Sequence, residues 1–148
     1  MIIDYRTMFC DAKNVSGTAA TRLEGNQIDL VHPRDIGNGQ PIYLIVVVTT
    51  AFASGGAATV NIQLASDNSA AIPTDGSATV HWQTGALNYT ALTKGKTFVT
   101  ALPLEGNAYK RYLGILVVTA AATTTAGAIS AFLSPDPVGW KAYPDAVS

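Results

Sequence analysis

Charge is what this chain has least of. Asp, Glu, Lys and Arg make up 13% of its 148 residues, roughly half the ~25% usual for soluble domains. The net charge is −1, and Lys110-Arg111 is the only adjacent basic pair. No long-range field gathers nucleic acid, so no nucleic-acid partner is expected. A single cysteine, Cys10, excludes an intrachain disulfide. It has no motif partner and reads as a small, half-buried hydrophobe, because a nucleophile needs a neighbouring base. No apolar run approaches the ~20 residues that span a bilayer, and no membrane partner is expected. The start, Met-Ile-Ile-Asp-Tyr-Arg, lacks a basic stretch ahead of an apolar one. No secretory signal is read there, and synthesis in a cytoplasm is expected.

Catalytic patterning is equally thin. The chain has two histidines. His32 precedes a proline, and His81 falls on the polar face of a strand pattern beside Trp82. Both read as surface histidines, exposed or hydrogen-bonded. There is no His-Glu-x-x-His, no Gly-x-Gly-x-x-Gly, no Walker loop and no Gly-x-Ser-x-Gly. Asp67, Asp75 and Asp136 sit in turn segments, where Asp is favoured for backbone reasons. The expectation is a protein that is not an enzyme, with no cofactor, no metal and no small-molecule substrate. A glycan hydrolase with a carboxylate pair brought together from distant segments is the enzyme-class rival.

What the chain does have is short β-patterned stretches. Residues 111–120, Arg-Tyr-Leu-Gly-Ile-Leu-Val-Val-Thr-Ala, and 41–48, Pro-Ile-Tyr-Leu-Ile-Val-Val-Val, are apolar on both alternating faces. Strands of that kind are covered on both sides, so these two are expected at the centre of the packed structure. Residues 59–65, Thr-Val-Asn-Ile-Gln-Leu-Ala, alternate cleanly, with Val60, Ile62 and Leu64 inward. Further strands are expected at 26–31, 78–84, 96–102 and 127–133, and residues 1–10 read as a first strand or an extended arm. In 78–84, Val80 and Trp82 should share one face, with Thr79, His81 and Gln83 on the other. In 127–133, Ile129, Ala131 and Leu133 should point inward. The segments 11–25, 66–77 and 85–95 read as loops, the last anchored by Leu87, Tyr89 and Leu92. The links 50–56 and 121–126 read as antiparallel hairpins. No window has helical periodicity. Eight short strands separated by Gly, Pro and Asn turns make an all-β sandwich or barrel, which the pattern alone does not separate.

Residues 134–148 differ. Three prolines exclude regular structure, yet Trp140 and Tyr143 gain from burial. The tail reads either as a strap over its own sandwich or as an arm to a neighbour. The domain is thus expected at 1–133, with the tail at 134–148. Low charge and abundant Thr, Ala and Gly suit a surface packed against other protein.

Arg34-Asp35-Ile36-Gly37-x-Gly39-x-Pro41-Ile42-Tyr43, followed by Val46-Val47-Val48, resembles the capsid cement (decoration) proteins of short-tailed bacteriophages, of the Bordetella-phage type. Three more stretches resemble that family in the same order: Asp-Tyr-Arg-Thr-Met-Phe-Cys-Asp-Ala at 4–12, Ala-Ala-Thr-Val-Asn-Ile-Gln-Leu at 57–64, and Arg111-Tyr112-Leu113-Gly114 leading through a Val-Val-Thr strand to Thr-Ala-Gly-Ala-Ile-Ser-Ala at 125–131. Together they span about residues 1–133. The resemblance implies an eight-stranded antiparallel jelly-roll sandwich. It also implies a homotrimer on the outside of the virion head, bound to the major capsid protein. It implies no enzyme activity. Under that reading the interface residues are Met1, Ile2, Ile3 and Arg6 in the N-terminal segment, Arg34 in its loop, and Trp140 and Tyr143 in the tail. The loops 34–40 and 66–77 should face out from one end. The alternative is a carbohydrate-binding β-sandwich module on a virion surface or fibre, stacking sugar on Trp82, Tyr89, Trp140 and Tyr143.

Overall fold

The structure, a computed structural model, describes residues 4–37 and 39–137. A 3-10 turn, Tyr5–Thr7, leads into nine strands: β1 (Met8–Asn14), β2 (Thr21–Asp29), β3 (Tyr43–Ser54), β4 (Thr59–Asp67), β5 (Thr79–Gln83), the two-residue β6 (Leu87–Asn88), β7 (Thr97–Ala101), β8 (Tyr112–Ala120) and β9 (Thr124–Ser134). A second 3-10 turn, Tyr89–Ala91, follows β6. Among the described residues there is no α-helix.

One sheet runs β1-β9-β3-β7 and the other β2-β8-β4-β5, with β6 added beside β4; all pairs are antiparallel. Apart from β6, the pairing is nested: first strand with last, second with second-last, inward to β4 with β5. A long ladder of this kind, rolled up so that its two sheets face each other, is a jelly roll. The fold is therefore an eight-stranded antiparallel jelly-roll sandwich.

Both stretches that are apolar on two faces take central places, β3 between β9 and β7 and β8 between β2 and β4. Leu44, Val46 and Val48 pair with Leu133, Ala131 and Ile129. Those six face Val60, Ile62 and Leu64 of β4 and Leu113, Ile115 and Val117 of β8 in one apolar core. The other face of β8 is covered too. Leu116 packs with Ala65 and with Ile72 from the 68–78 loop. Gly114 belongs to this cover: a Cβ there would come within 2.7 Å of the Ile72 Cδ1.

Four expectations are corrected. Links 50–56 and 121–126 are not hairpins, because β3 and β9 lie in one sheet and β4 and β8 in the other. They arch between sheets, as rolling up the ladder requires. Second, β2 begins at Thr21, well before residue 26. Its first half carries Arg22 and Glu24 rather than an alternating apolar face, and the ladder to β8 shifts between Glu24 and Ile28 at Gly25. Third, within the expected strand or arm at 1–10 the described residues hold a 3-10 turn, and the strand itself runs 8–14; Asp4 caps the turn, accepting the Arg6 N–H at 2.9 Å. Fourth, a register shift between Leu64 and Ala65 breaks the alternation of β5. Trp82 packs on the main core while Val80 packs on the outer cluster, and His81 is half-buried instead of lying on a polar surface. The anchors of the 85–95 loop hold as expected: Leu92 is buried, and Leu87 and Tyr89 pack on the core.

Candidate interaction surface

The ladder fixes which loops share an end. β8 starts at Tyr112, opposite Asp29 at the end of β2 and Asp67 at the end of β4. β3 starts at Tyr43, opposite Ala101 at the end of β7 and Ser134 at the end of β9. The loops 30–42, 68–78 and 102–111 therefore crowd one end. The N-terminal turn joins them, since Met8 lies opposite Phe132. Residue 137, the last described before the tail, leaves from this end as well.

Among the described residues, three of the four exposed large apolar side chains sit here: Tyr5 (75% exposed) in the N-terminal turn, Val31 (56%) after β2 and Leu104 (49%) after β7. Single exposed apolar residues are ordinary; their collection at one end suits a contact surface. Arg6 and Arg34 are at the same end, both exposed. Among the described residues neither guanidinium forms an ion pair, whereas Arg22 and Arg111 do. An open cleft of about 500 Å³ runs between Tyr5, Arg6 and Asn26–Asp29. Arg and Tyr are enriched at protein interfaces.

The loop carrying Val31 is held in place. Asp29 accepts two bonds from the Arg111 guanidinium, both 2.9 Å, and a third from the Val31 N–H at 2.7 Å. The Leu30 N–H bonds the Arg111 carbonyl at 2.8 Å. Val31 has φ +68°, a backbone region that a β-branched residue adopts only when its surroundings impose it. The Arg111 guanidinium and the Val31 N–H hold the Asp29 carboxyl down to about 2.

The nearest approach to a catalytic arrangement lies behind this end. Ser66 Oγ and His81 Nε2 are 2.7 Å apart, and the Lys110 N–H donates to Ser66 Oγ at 3.0 Å. His81 stacks on Tyr109, with ring centroids 3.9 Å apart. Ser66 is fully buried and its hydroxyl is engaged on both sides. With Lys110 donating to it, the natural arrangement has Ser66 donating to a neutral His81. Burial, helped by Lys110 and opposed by Asp35, lowers the His81 pKa. This pair ties the 102–111 loop to β4 and β5. Lys110 Nζ adds an ion pair to Asp67 at 3.2 Å.

Other candidate residues resolve as follows. Cys10 is buried; desolvation pushes its thiol up to about 11, so it stays protonated and unreactive. His32 lies exposed in the 30–42 loop. Trp82 meets Phe98 edge-on at 6.3 Å and packs on the core, as does Tyr89. Met1, Ile2, Ile3, Trp140 and Tyr143 lie outside the described residues. Among the described residues no group of three or more His, Cys, Asp or Glu could hold a metal. Tyr5 falls within the N-terminal segment expected at the interface, whereas Val31 and Leu104 are not marked in the sequence. An exposed apolar residue in a loop leaves no periodic signal, and Val31 stands out only once its φ is known.

No curated protein matches the chain. A family match covers residues 9–133, all nine strands but the first and last residues of the sandwich. This chain belongs to the Bbp16 family.

Proposed function

We propose that this protein is a bacteriophage capsid cement protein, which binds the outer surface of the head and stabilises contacts between capsomers. Its partners under this reading are the major capsid protein and its own copies, as a homotrimer. It works as a structural protein without catalysis, cofactor or nucleic acid. Family membership supports a phage origin, through a name that points to a Bordetella phage. The observation that carries the cement reading is the collection of Tyr5, Val31, Leu104, Arg6 and Arg34 at one end of a stiff sandwich. Cementing needs rigid presentation of a modest contact patch. Repetition over many equivalent sites then supplies avidity in place of a single strong contact.

The test is co-sedimentation of purified protein with expanded, empty heads of its phage. The expected result is saturable binding, with loss of most binding in an Arg6→Glu, Arg34→Glu double variant that still melts within a few degrees of wild type. Wild-type protein that stays in the supernatant at micromolar concentration defeats the proposal. Sedimentation equilibrium of the free protein reads the copy number; a mass of one chain at all concentrations removes the trimer.

A further inference from the structure

On one side of the sandwich the two sheets end in neighbouring edge strands, β1 in the first sheet and β2 in the second. They touch as far as Gly25. Lys13 reaches Glu24 at 3.9 Å, and a Cβ on Gly25 would come within 2.2 Å of the Phe9 carbonyl oxygen. Beyond Gly25 the register of β2 shifts, and the edges part. The open cleft of about 500 Å³ fills the gap, with Asn26–Asp29 on one side and Tyr5, Arg6 and Met8 on the other. Its volume is in the range of ligand-binding clefts.

One wall of this cleft is a strand edge. β2 pairs with β8 on one side and, among the described residues, with no strand on the other. Leu30, whose N–H bonds the Arg111 carbonyl, directly follows the Asp29–Tyr112 pair. Antiparallel bonds alternate along a strand, so Asp29 turns its backbone N–H and carbonyl away from β8, to the open side. Edges of this kind accept a further strand. This one is fixed in advance, because Arg111 and the Val31 N–H hold the Asp29 carboxylate. Little ordering of the edge is then left to oppose binding.

The lining side chains say what such a strand carries. Arg6 is exposed, and its guanidinium has no ion pair among the described residues. Asp29 is the one acidic residue on the cleft wall, and Arg111 already neutralises it. The cleft therefore keeps an uncompensated positive charge, which a carboxylate meets with charge-assisted hydrogen bonds. Beside it lie Met8 and Ile28, both half-buried, and the exposed ring of Tyr5. An extended peptide alternates its side chains between two faces. Carboxylates alternating with apolar groups match this lining.

We propose that this cleft docks an extended acidic segment of a partner protein, which adds a short strand along Asn26–Asp29 and sets a carboxylate on Arg6. Under the capsid reading the segment belongs to the major capsid protein, but the docking mode does not depend on that reading.

The test titrates isotope-labelled full-length protein with the capped pentapeptide Glu-Val-Glu-Val-Glu and follows the backbone amides by NMR. The expected result is saturable shifts confined to residues 5–8 and 26–29 at millimolar peptide, with affinity several-fold weaker in Arg6→Gln. Methylating the peptide nitrogens of alternate residues separates strand addition from charge pairing. Of the two alternate sets, the one that faces β2 should abolish binding, and the other should leave it unchanged. No shifts at millimolar peptide overturn the proposal. Equal binding by Lys-Val-Lys-Val-Lys, or undiminished binding in Arg6→Gln, removes the charge match and also overturns it. Equal binding by both methylated peptides shows that side chains alone hold the segment, and overturns the strand addition. Peptide binding with these properties stands whether or not the protein sediments with heads, so failure of the capsid reading and failure of this one are told apart.

Discussion

Asp29 and Arg111 meet side by side, two oxygens against two guanidinium nitrogens at 2.9 Å each, at the point where β2 ends and β8 begins. The pair is open to water, so its contribution to global stability is small. Its role is local. The same carboxylate takes the Val31 N–H, and so connects the start of one central strand to the strained Val31 of the 30–42 loop. Asp29→Ala should therefore leave the melting temperature nearly unchanged while speeding amide exchange through residues 30–37. Exchange rates equal to wild type would separate the pair from the loop. The pH sign follows from the depressed carboxyl. The contact is fully present above pH 3.8 and is lost as the pH falls through about 2.

Gly25 is the second place where one residue decides local structure. It has φ +77°, and a Cβ there would lie 2.2 Å from the Phe9 carbonyl oxygen. The obstacle is backbone, which cannot step aside as a side-chain tip can. Gly25→Ala should destabilise by at least ~2 kcal/mol, combining left-handed strain with displacement of β1. Gly114→Ala meets only the flexible ends of Ile72 and Leu23 and should cost less. Paired urea titrations check the order of the two variants, and the reverse order would refute the assignment.

Arg22 is a clamp. Its guanidinium donates to Glu24, to the carbonyls of Val15 and Thr18, and to the Thr119 hydroxyl. Lys13 of β1 approaches the other Glu24 oxygen at 3.9 Å. One planar cation thus closes the 15–20 loop onto β8, while Glu24 links strands of opposite sheets. Arg22→Lys keeps the charge and loses the fork, so it should still destabilise by about 1–3 kcal/mol. A urea midpoint equal to wild type would show that charge alone suffices.

These cases explain how far the sequence was legible. Val60, Ile62, Leu64 and the two-faced strands β3 and β8 were readable, because burial of apolar side chains imposes period two on the chain. The nested pairing was not, since apolar strands do not name their partners; the links at 50–56 and 121–126 looked like hairpins for that reason. The start of β2 was hidden because its strand faces are satisfied by Arg22 and Glu24 rather than by grease. His81 was misplaced because a one-residue shift in β5 reverses faces. At the candidate surface, Arg6 and Arg34 were singled out through family resemblance. Val31 and Leu104 needed the geometry, which alone brings their loops to the same end as Tyr5.

His81 gives a pH signature that the surface carboxylates do not. Its folded pKa is lowered, by burial first and by Lys110 second, with Asp35 opposing. The unfolded chain therefore takes up this proton first. Stability attached to neutral His81 is complete above pH 6.5 and is lost as the pH falls from there through the folded value. Melting temperature should decline as the pH falls below 6.5, before Asp29, Asp67 and Asp75 begin to titrate. His81→Gln should flatten that part of the profile. A variant with the wild-type slope would assign the decline elsewhere.

Tyr109 supplies the sharpest contrast. Its ring is buried against the core and stacked on His81, but its hydroxyl has no hydrogen-bond partner among the described residues. Burial, and secondarily Asp35, pushes that hydroxyl up to about 12, so it stays protonated. A buried donor with no acceptor opposes folding, whereas the ring favours it. The two parts of one side chain should therefore respond oppositely to substitution. Tyr109→Phe retains the stack and removes the unsatisfied group, so stability should hold or rise by up to ~1 kcal/mol. Tyr109→Ala leaves a cavity beneath His81 and should cost about 3–5 kcal/mol. Urea denaturation of the two variants measures both terms. A loss above ~1 kcal/mol in Tyr109→Phe would mean that the hydroxyl is bonded in solution, and its buried environment would then have to contain an ordered water.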